Sequence, residues 1–184
     1  MVGFAIVLAS GGVDFWPRYW RRRALRADAR IVRKTFSNRT TGALIGQGWV
    51  AQLVVRNEPR ATRYAQPIQL VPRLRFIESN GNVVSIEGRW ADSPLPKHPD
   101  SAVPPITIPP YTGRYLDVAL LFAGERGLFA INNQSPFSDY RLAHLVLIPP
   151  VIADIDLLGT VSHRVRFSLA IEDGELTATR MWRA

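Results

Sequence analysis

Cysteine is absent, which removes disulfide bridges and thiolate metal sites and is in keeping with a reducing compartment. A thiol-based redox enzyme has no carrier here. Histidine is scarce: His98 falls in a proline-rich loop, while His144 and His163 fall on two separate strand candidates, and their spacing matches no ligand motif. No metal and no cofactor is expected. Lysine occurs only as Lys34 and Lys97, the other 21 basic residues being Arg. Such a bias is what GC-rich coding DNA imposes, so no single Arg is taken as a sign of bidentate chemistry.

Long apolar runs are also missing. The run VGFAIVLA covers residues 2 to 9, and even extended to Val13 it falls well short of the roughly 20 residues of a spanning helix. Positive charge follows it rather than precedes it, the reverse of a secretory signal. That order matches the last turns of a membrane helix followed by a basic cytoplasmic flank, so the expected location is membrane-associated, on the cytoplasmic side.

At 184 residues the chain is long enough for one domain with a substantial core. Its formal charge of +8 is unevenly spread. Residues 1–34 hold eight basic and two acidic side chains, net +6, which leaves 15 basic against 13 acidic residues after Lys34, net +2. The basicity therefore belongs to an arm and the body is nearly neutral, which disfavours a nucleic-acid partner because no second basic face extends the contact.

The arm is the stretch DFWPRYWRRRALRADAR, residues 14 to 30. Asp14 is a candidate N-cap with Pro17 in the first turn, where its missing N–H costs little. Phe15 with Tyr19, and Trp16 with Trp20, are i,i+4 pairs, and Arg18, Arg21, Arg22 and Arg26 surround them. This pattern predicts a short amphipathic helix. On a membrane its rings would sit at headgroup level and its arginines would reach anionic lipid, each contributing on the order of 1 kcal/mol. The same face could instead bury in a protein groove or pack on the body of the domain.

From Ala29 onward the period becomes twofold. WVAQLVV (49 to 55) sets Trp49, Ala51, Leu53 and Val55 on one face; IQLVPRLRF (68 to 76) sets Ile68, Leu70, Leu74 and Phe76 against Arg73 and Arg75. VSHRVRFSLAI (161 to 171) sets Val161, His163, Val165, Phe167, Leu169 and Ile171 against Ser162, Arg164, Arg166 and Ser168. Half-buried antiparallel strands have this alternation. Asn80-Gly81 and Asp173-Gly174 are hairpin dipeptides that should join neighbouring strands, and further strand candidates lie at 30–36, 115–122, 142–148 and 151–157. The segment 92–110 holds half of the 14 prolines and cannot be a central strand. It is expected to cross between sheets, with ITI pairing at an edge; its PxxP spacing also admits a polyproline ligand.

These elements predict an all-β fold, an antiparallel β-sandwich of about eight strands with a short N-terminal helix, divided into residues 1–30 and a domain over 31–184. The words VRNEP (55 to 59), EGRW (87 to 90) and IPPYTGRYLDVAL (108 to 120) resemble, in that order, an immunoglobulin-like β-sandwich of uncharacterised bacterial membrane-anchored proteins. The resemblance covers roughly residues 30 to 184. It implies a fold and an attachment through a preceding Trp/Arg-rich flank, and no activity. The chain departs from that pattern in having no complete membrane helix.

No catalytic residue is assigned. Asp154 and Asp156 share a strand face, where coupled carboxylates could do acid–base work, but a solvated face is the simpler expectation. Asp117 is expected to pair with a surface Arg or to bond the backbone, and His163 to be a hydrogen-bonded core residue. GALIGQG (42 to 48) has its glycines before a strand, the wrong order for a phosphate loop. Trp49 and Trp90 are expected in the core. The resulting expectation is a non-catalytic interaction or scaffold domain held near a membrane by Phe15, Trp16, Arg18, Tyr19, Trp20, Arg21, Arg22, Arg23 and Arg26, its partner an anionic membrane surface or a protein. Alternatives are a carbohydrate- or protein-binding module using an exposed Trp90 and the 92–113 loop, and a hydrolase using Asp154, Asp156 or Asp117 with His163.

Overall fold

Twofold alternation builds twelve strands among the described residues, which in this computed structural model are 24–37, 44–60, 62, 65–93, 102–132 and 146–181. They are β1 (Leu25–Ser37), β2 (Leu44–Asn57), β3 (Ile68–Glu78), β4 (Val83–Glu87), β5 (Arg89–Trp90) and β6 (Ile106–Ile108). Then follow β7 (Thr112–Phe122), β8 (Leu128–Ala130), β9 (Val146–Leu147), β10 (Val151–Gly159), β11 (His163–Glu172) and β12 (Glu175–Arg180).

Every pairing is antiparallel, in two sheets. The first runs β1-β2-β7-β8-β9 with β5 also on β7; the second runs β12-β11-β10-β3-β4 with β6 also on β3. One apolar cluster joins their inner faces, with Leu53, Val55, Leu116 and Leu121 from the first sheet and Leu70, Phe76, Ile155, Phe167 and Leu169 from the second. The alternations expected for residues 68–76 and 161–171 are the ones observed, because each strand covers one face with its partner sheet and leaves the other largely to solvent. In 49–55 the expected face of Ala51, Leu53 and Val55 enters the shared core, but Val50, Gln52 and Val54 on the other face are buried as well.

Both hairpin dipeptides turn where expected. Asp173 (φ 53°) and Gly174 (φ 79°) both have positive φ, as a two-residue hairpin turn requires, and Gly81 (φ 85°) closes the β3–β4 turn. ITI pairs at the edge of β3 as β6, Ile68 lying opposite Ile108. The chain changes sheets at Gly88, between β4 and β5. A Cβ there would lie 3.1 Å from side-chain atoms of Pro72, Leu74 and Leu116, so any larger residue at the crossing would have to push these neighbours aside by a few tenths of an ångström. EGRW is this crossing, and it delivers Trp90 fully buried into the core.

The N-terminal segment differs from expectation. From Leu25 the chain is already strand, β1 pairing with β2 from Leu25–Asn57 to Ser37–Leu44, so the helix expected over 14 to 30 is not found in its last residues. Leu25 and Ala27 alternate with exposed Arg26 and Asp28, and core burial overrides the helical spacing of the arginines. Residues 14–23, with the Phe15–Trp20 cluster, lie outside the described residues.

A bulge shifts the β2–β7 register, Ala51 facing Ala119 but Gln52 facing Asp117. Past it, Val50, Leu120, Phe122, Phe129 and Ile131 form a second apolar cluster on the outer side of the first sheet, joined by Phe36. Phe122 meets Phe36 and Phe129 edge-on at 5.4 and 5.6 Å, an arrangement that the ring quadrupoles favour.

Candidate functional site

On the outer face of the second sheet, three adjacent strands present matched side chains. In β3 these are Arg73 and Arg75, in β10 Asp156 and Asp154, in β11 Arg164 and Arg166. Register places Arg75 and Arg166 on either side of Asp154, and Arg73 and Arg164 on either side of Asp156. The result is a grid of four guanidiniums around a central acidic row.

Asp154 is its hub. Arg75 Nη2 and Arg166 Nη2 donate to Oδ2 at 2.6 and 2.9 Å, Arg164 Nε donates to Oδ1 at 2.6 Å, and Arg164 Nη2 donates to Oδ2. Four donors fill the roughly four acceptor positions of a carboxylate. The arginines cover it completely, side-chain exposure being 0% for Asp154 and 35–44% for its partners. The Arg164 hydrogen bonds, opposed by burial and supported by Arg166 and Arg75, hold the Asp154 carboxyl well below the usual carboxylate range. The same pair pushes Arg164 up. The solvated strand face expected for Asp154 is thus corrected: the carboxylate is buried, and paired by neighbouring strands.

Beside the hub lies an open depression of about 360 Å³ lined by Arg73, Arg75, Ser85, Glu87 and Asp156. Asp156 is 3.7 Å from Arg164 Nε. One Glu87 oxygen accepts from the Val103 backbone N–H at 3.3 Å. Arg73 makes no side-chain ion pair or hydrogen bond among the described residues.

The first sheet carries a separate relay on its own outer face. Arg30 donates to Gln52 Oε1 through Nε (3.0 Å) and Nη2 (2.7 Å), and Gln52 Nε2 donates to Asp117 Oδ1 at 2.5 Å. Lys34 Nζ lies 3.7 Å from the same oxygen, and the Arg30 guanidinium stacks 4.1 Å from the Tyr115 ring centroid. Asp117 thus pairs with a Lys and an amide rather than the expected Arg.

The acid–base set is not brought together. Asp117 lies on the outer face of the first sheet and Asp154 and Asp156 on that of the second, while half-buried His163 opens β11 opposite Leu157. His98 and His144 lie outside the described residues; among those described, no group of three His, Asp or Glu could hold a metal ion. Trp90 is fully buried, so it cannot serve as the exposed platform of a sugar site. Trp49 packs on the core and carries Arg33 5.7 Å from its ring centroid. Trp182 and residues 42–43 of GALIGQG lie outside the described residues, while Leu44–Gly48 open β2.

The words behind the immunoglobulin-like resemblance are structural. Asn57 of VRNEP is buried and its Nδ2 donates to the carbonyls of Gln66 (2.8 Å) and Ile108 (3.1 Å), tying the segment after β2 to β6. Tyr111 N–H returns to the Asn57 carbonyl at 2.7 Å. Of the expected membrane- or partner-binding residues, only Arg26 is described, exposed on β1. Among the described residues no helix is long and apolar enough to cross a membrane. No protein-family model matches the chain, and comparison with curated proteins and with solved structures finds no match.

Proposed function

We propose that this protein is a non-catalytic interaction or scaffold domain, an immunoglobulin-like β-sandwich held beside a membrane by its N-terminal basic aromatic segment. The observation that carries the reading is the division of charge, net +6 over residues 1–34 against +2 for the rest. Three of the basic residues in that count, Arg26, Arg30 and Arg33, are exposed on β1 along an edge of the first sheet, so the positive charge continues from the arm onto the body. The start of β1 faces Asn57, and Asn57 faces Thr112. A segment leaving it therefore begins at the end of the sheets that also holds exposed Arg60 and Tyr111, and that end would lie next to the lipid.

The test is flotation with anionic and neutral vesicles, comparing the full chain with one lacking residues 1–23. The cut belongs there because β1 starts at Leu25. Binding by the full chain to anionic vesicles, lost in the shortened chain, supports the reading; equal behaviour of the two removes it.

A further inference from the structure

We propose that the outer face of the second sheet binds a small soluble ligand bearing a single oxoanion group, a phosphate above all, seated between Arg73 and Arg75 at the mouth of the depression beside β4. Donor supply is the first reason. Each guanidinium carries five N–H donors, and the Asp154 carboxylate is filled by four hydrogen bonds from three of them. The remaining donors of Arg75, Arg164 and Arg166 face solvent, where an anion can replace water, and the Arg73 side chain has no acceptor among the described residues.

Charge is the second reason. Arg73, Arg75, Arg164 and Arg166 face Asp154 and Asp156 across three strands, and Glu87 of β4 lies opposite Arg73, which leaves an excess of one cation. Three guanidinium nitrogens converge on the one Oδ2 atom, so these cations stand within a few ångströms of one another. A further anion at their margin relieves that repulsion, and the hub holds Arg75 in place beforehand, so little order is lost on binding.

The lining sets the ligand class. Arg73 and Arg75 are two residues apart on one strand, roughly 7 Å along it, a separation that one tetrahedral oxoanion can bridge with a guanidinium on each side. Ser85, opposite Arg75 in register, adds a hydroxyl donor. Glu87 and Asp156 line the same depression and repel additional negative charge, which excludes a polyanion and favours hydroxyls on the rest of the ligand. A space of about 360 Å³ is that of a small-molecule site.

The test uses the full chain at constant ionic strength, with chloride as reference, and the probes glycerol 3-phosphate, inorganic phosphate and phosphatidylglycerol vesicles. Glycerol 3-phosphate is expected to raise Tm saturably and to shift arginine Nε–H resonances. Arg73→Gln, which breaks no ion pair, is expected to weaken this response about tenfold or more; Arg75→Gln, which leaves two arginines on Asp154, is expected to do the same. Arg21→Glu/Arg22→Glu/Arg23→Glu in the arm is expected to leave phosphate binding unchanged, which separates this site from the membrane reading. The proposal is overturned if neither phosphate compound acts beyond chloride, if Arg73→Gln responds as the wild type does, or if only the vesicles bind through Arg73.

Discussion

Asp154 is the residue on which most of the second sheet's outer charge depends, and its removal separates two effects. Asp154→Asn keeps the shape but leaves three convergent guanidiniums without their anion. Because those arginines are partly exposed and can recruit water, the expected loss is about 1–3 kcal/mol, below the cost of a fully buried orphan charge. Urea unfolding at neutral pH measures it. The lowered carboxyl also sets a pH dependence of known sign: the stabilisation is fully present above the ordinary value of 3.8 and is lost as pH falls below it. Glu78 acts in the same direction, its carboxyl lowered by the Ile148 backbone N–H at 2.7 Å and the Asn82 amide at 2.8 Å. The wild type is therefore expected to lose stability between about pH 4 and pH 2, and Asp154→Asn to show a shallower loss, read as Tm against pH.

At the scale of elements, the connections are more exacting than the strands. Gly81 and Gly174 have positive φ and no atom within 4 Å of where a Cβ would stand, so their cost on substitution is backbone strain alone. Gly81→Ala and Gly174→Ala are each expected to destabilise by about 1–2 kcal/mol without altering the core. Gly88→Ala meets the opposite obstacle, contact with Pro72, Leu74 and Leu116, and overpacking there is expected to cost about 1–3 kcal/mol. Thermal melts of the three variants, with near-ultraviolet circular dichroism reporting the Trp90 environment, distinguish them: only Gly88→Ala should change that spectrum. Arg73→Gln serves as the neutral reference, expected within about 0.5 kcal/mol of wild type.

At the scale of the whole molecule, the N-terminal arm and the folded body meet at β1, which belongs structurally to the body. Its side chains Leu25 and Ala27 lie in the shared core, and Asp28 reaches across to Arg180 of β12 at 3.0 Å. Deleting residues 1–23 is therefore expected to leave a cooperative unfolding transition, whereas deleting 1–34 removes most of a strand paired along the length of β2 and is expected to abolish it. Differential scanning calorimetry of the two chains decides. Arg21→Glu/Arg22→Glu/Arg23→Glu is expected to keep the wild-type transition within about 0.5 kcal/mol while ending any association with anionic vesicles.

The alternation within each strand was legible from composition and spacing alone, because burial of one face of a strand imposes a period of two whatever the strand pairs with. Asn80-Gly81 and Asp173-Gly174 were legible for a similar reason: positive φ is a local requirement that few residues meet. The boundary of the arm was not, since Arg22, Arg23 and Arg26 carry a helical spacing that the pairing of β1 with β2 overrides. Nor was the Asp154 hub. Its signal was present as RLR at 73–75, DID at 154–156 and RVR at 164–166, three period-two charge patterns of complementary sign. Their meaning depends on which strands are neighbours and in which register, and long-range pairing across some 80 residues leaves no local trace in the chain. Sequence determined which side chains face outward; only the tertiary structure decided that three arginines from two strands would converge on one carboxylate from a third.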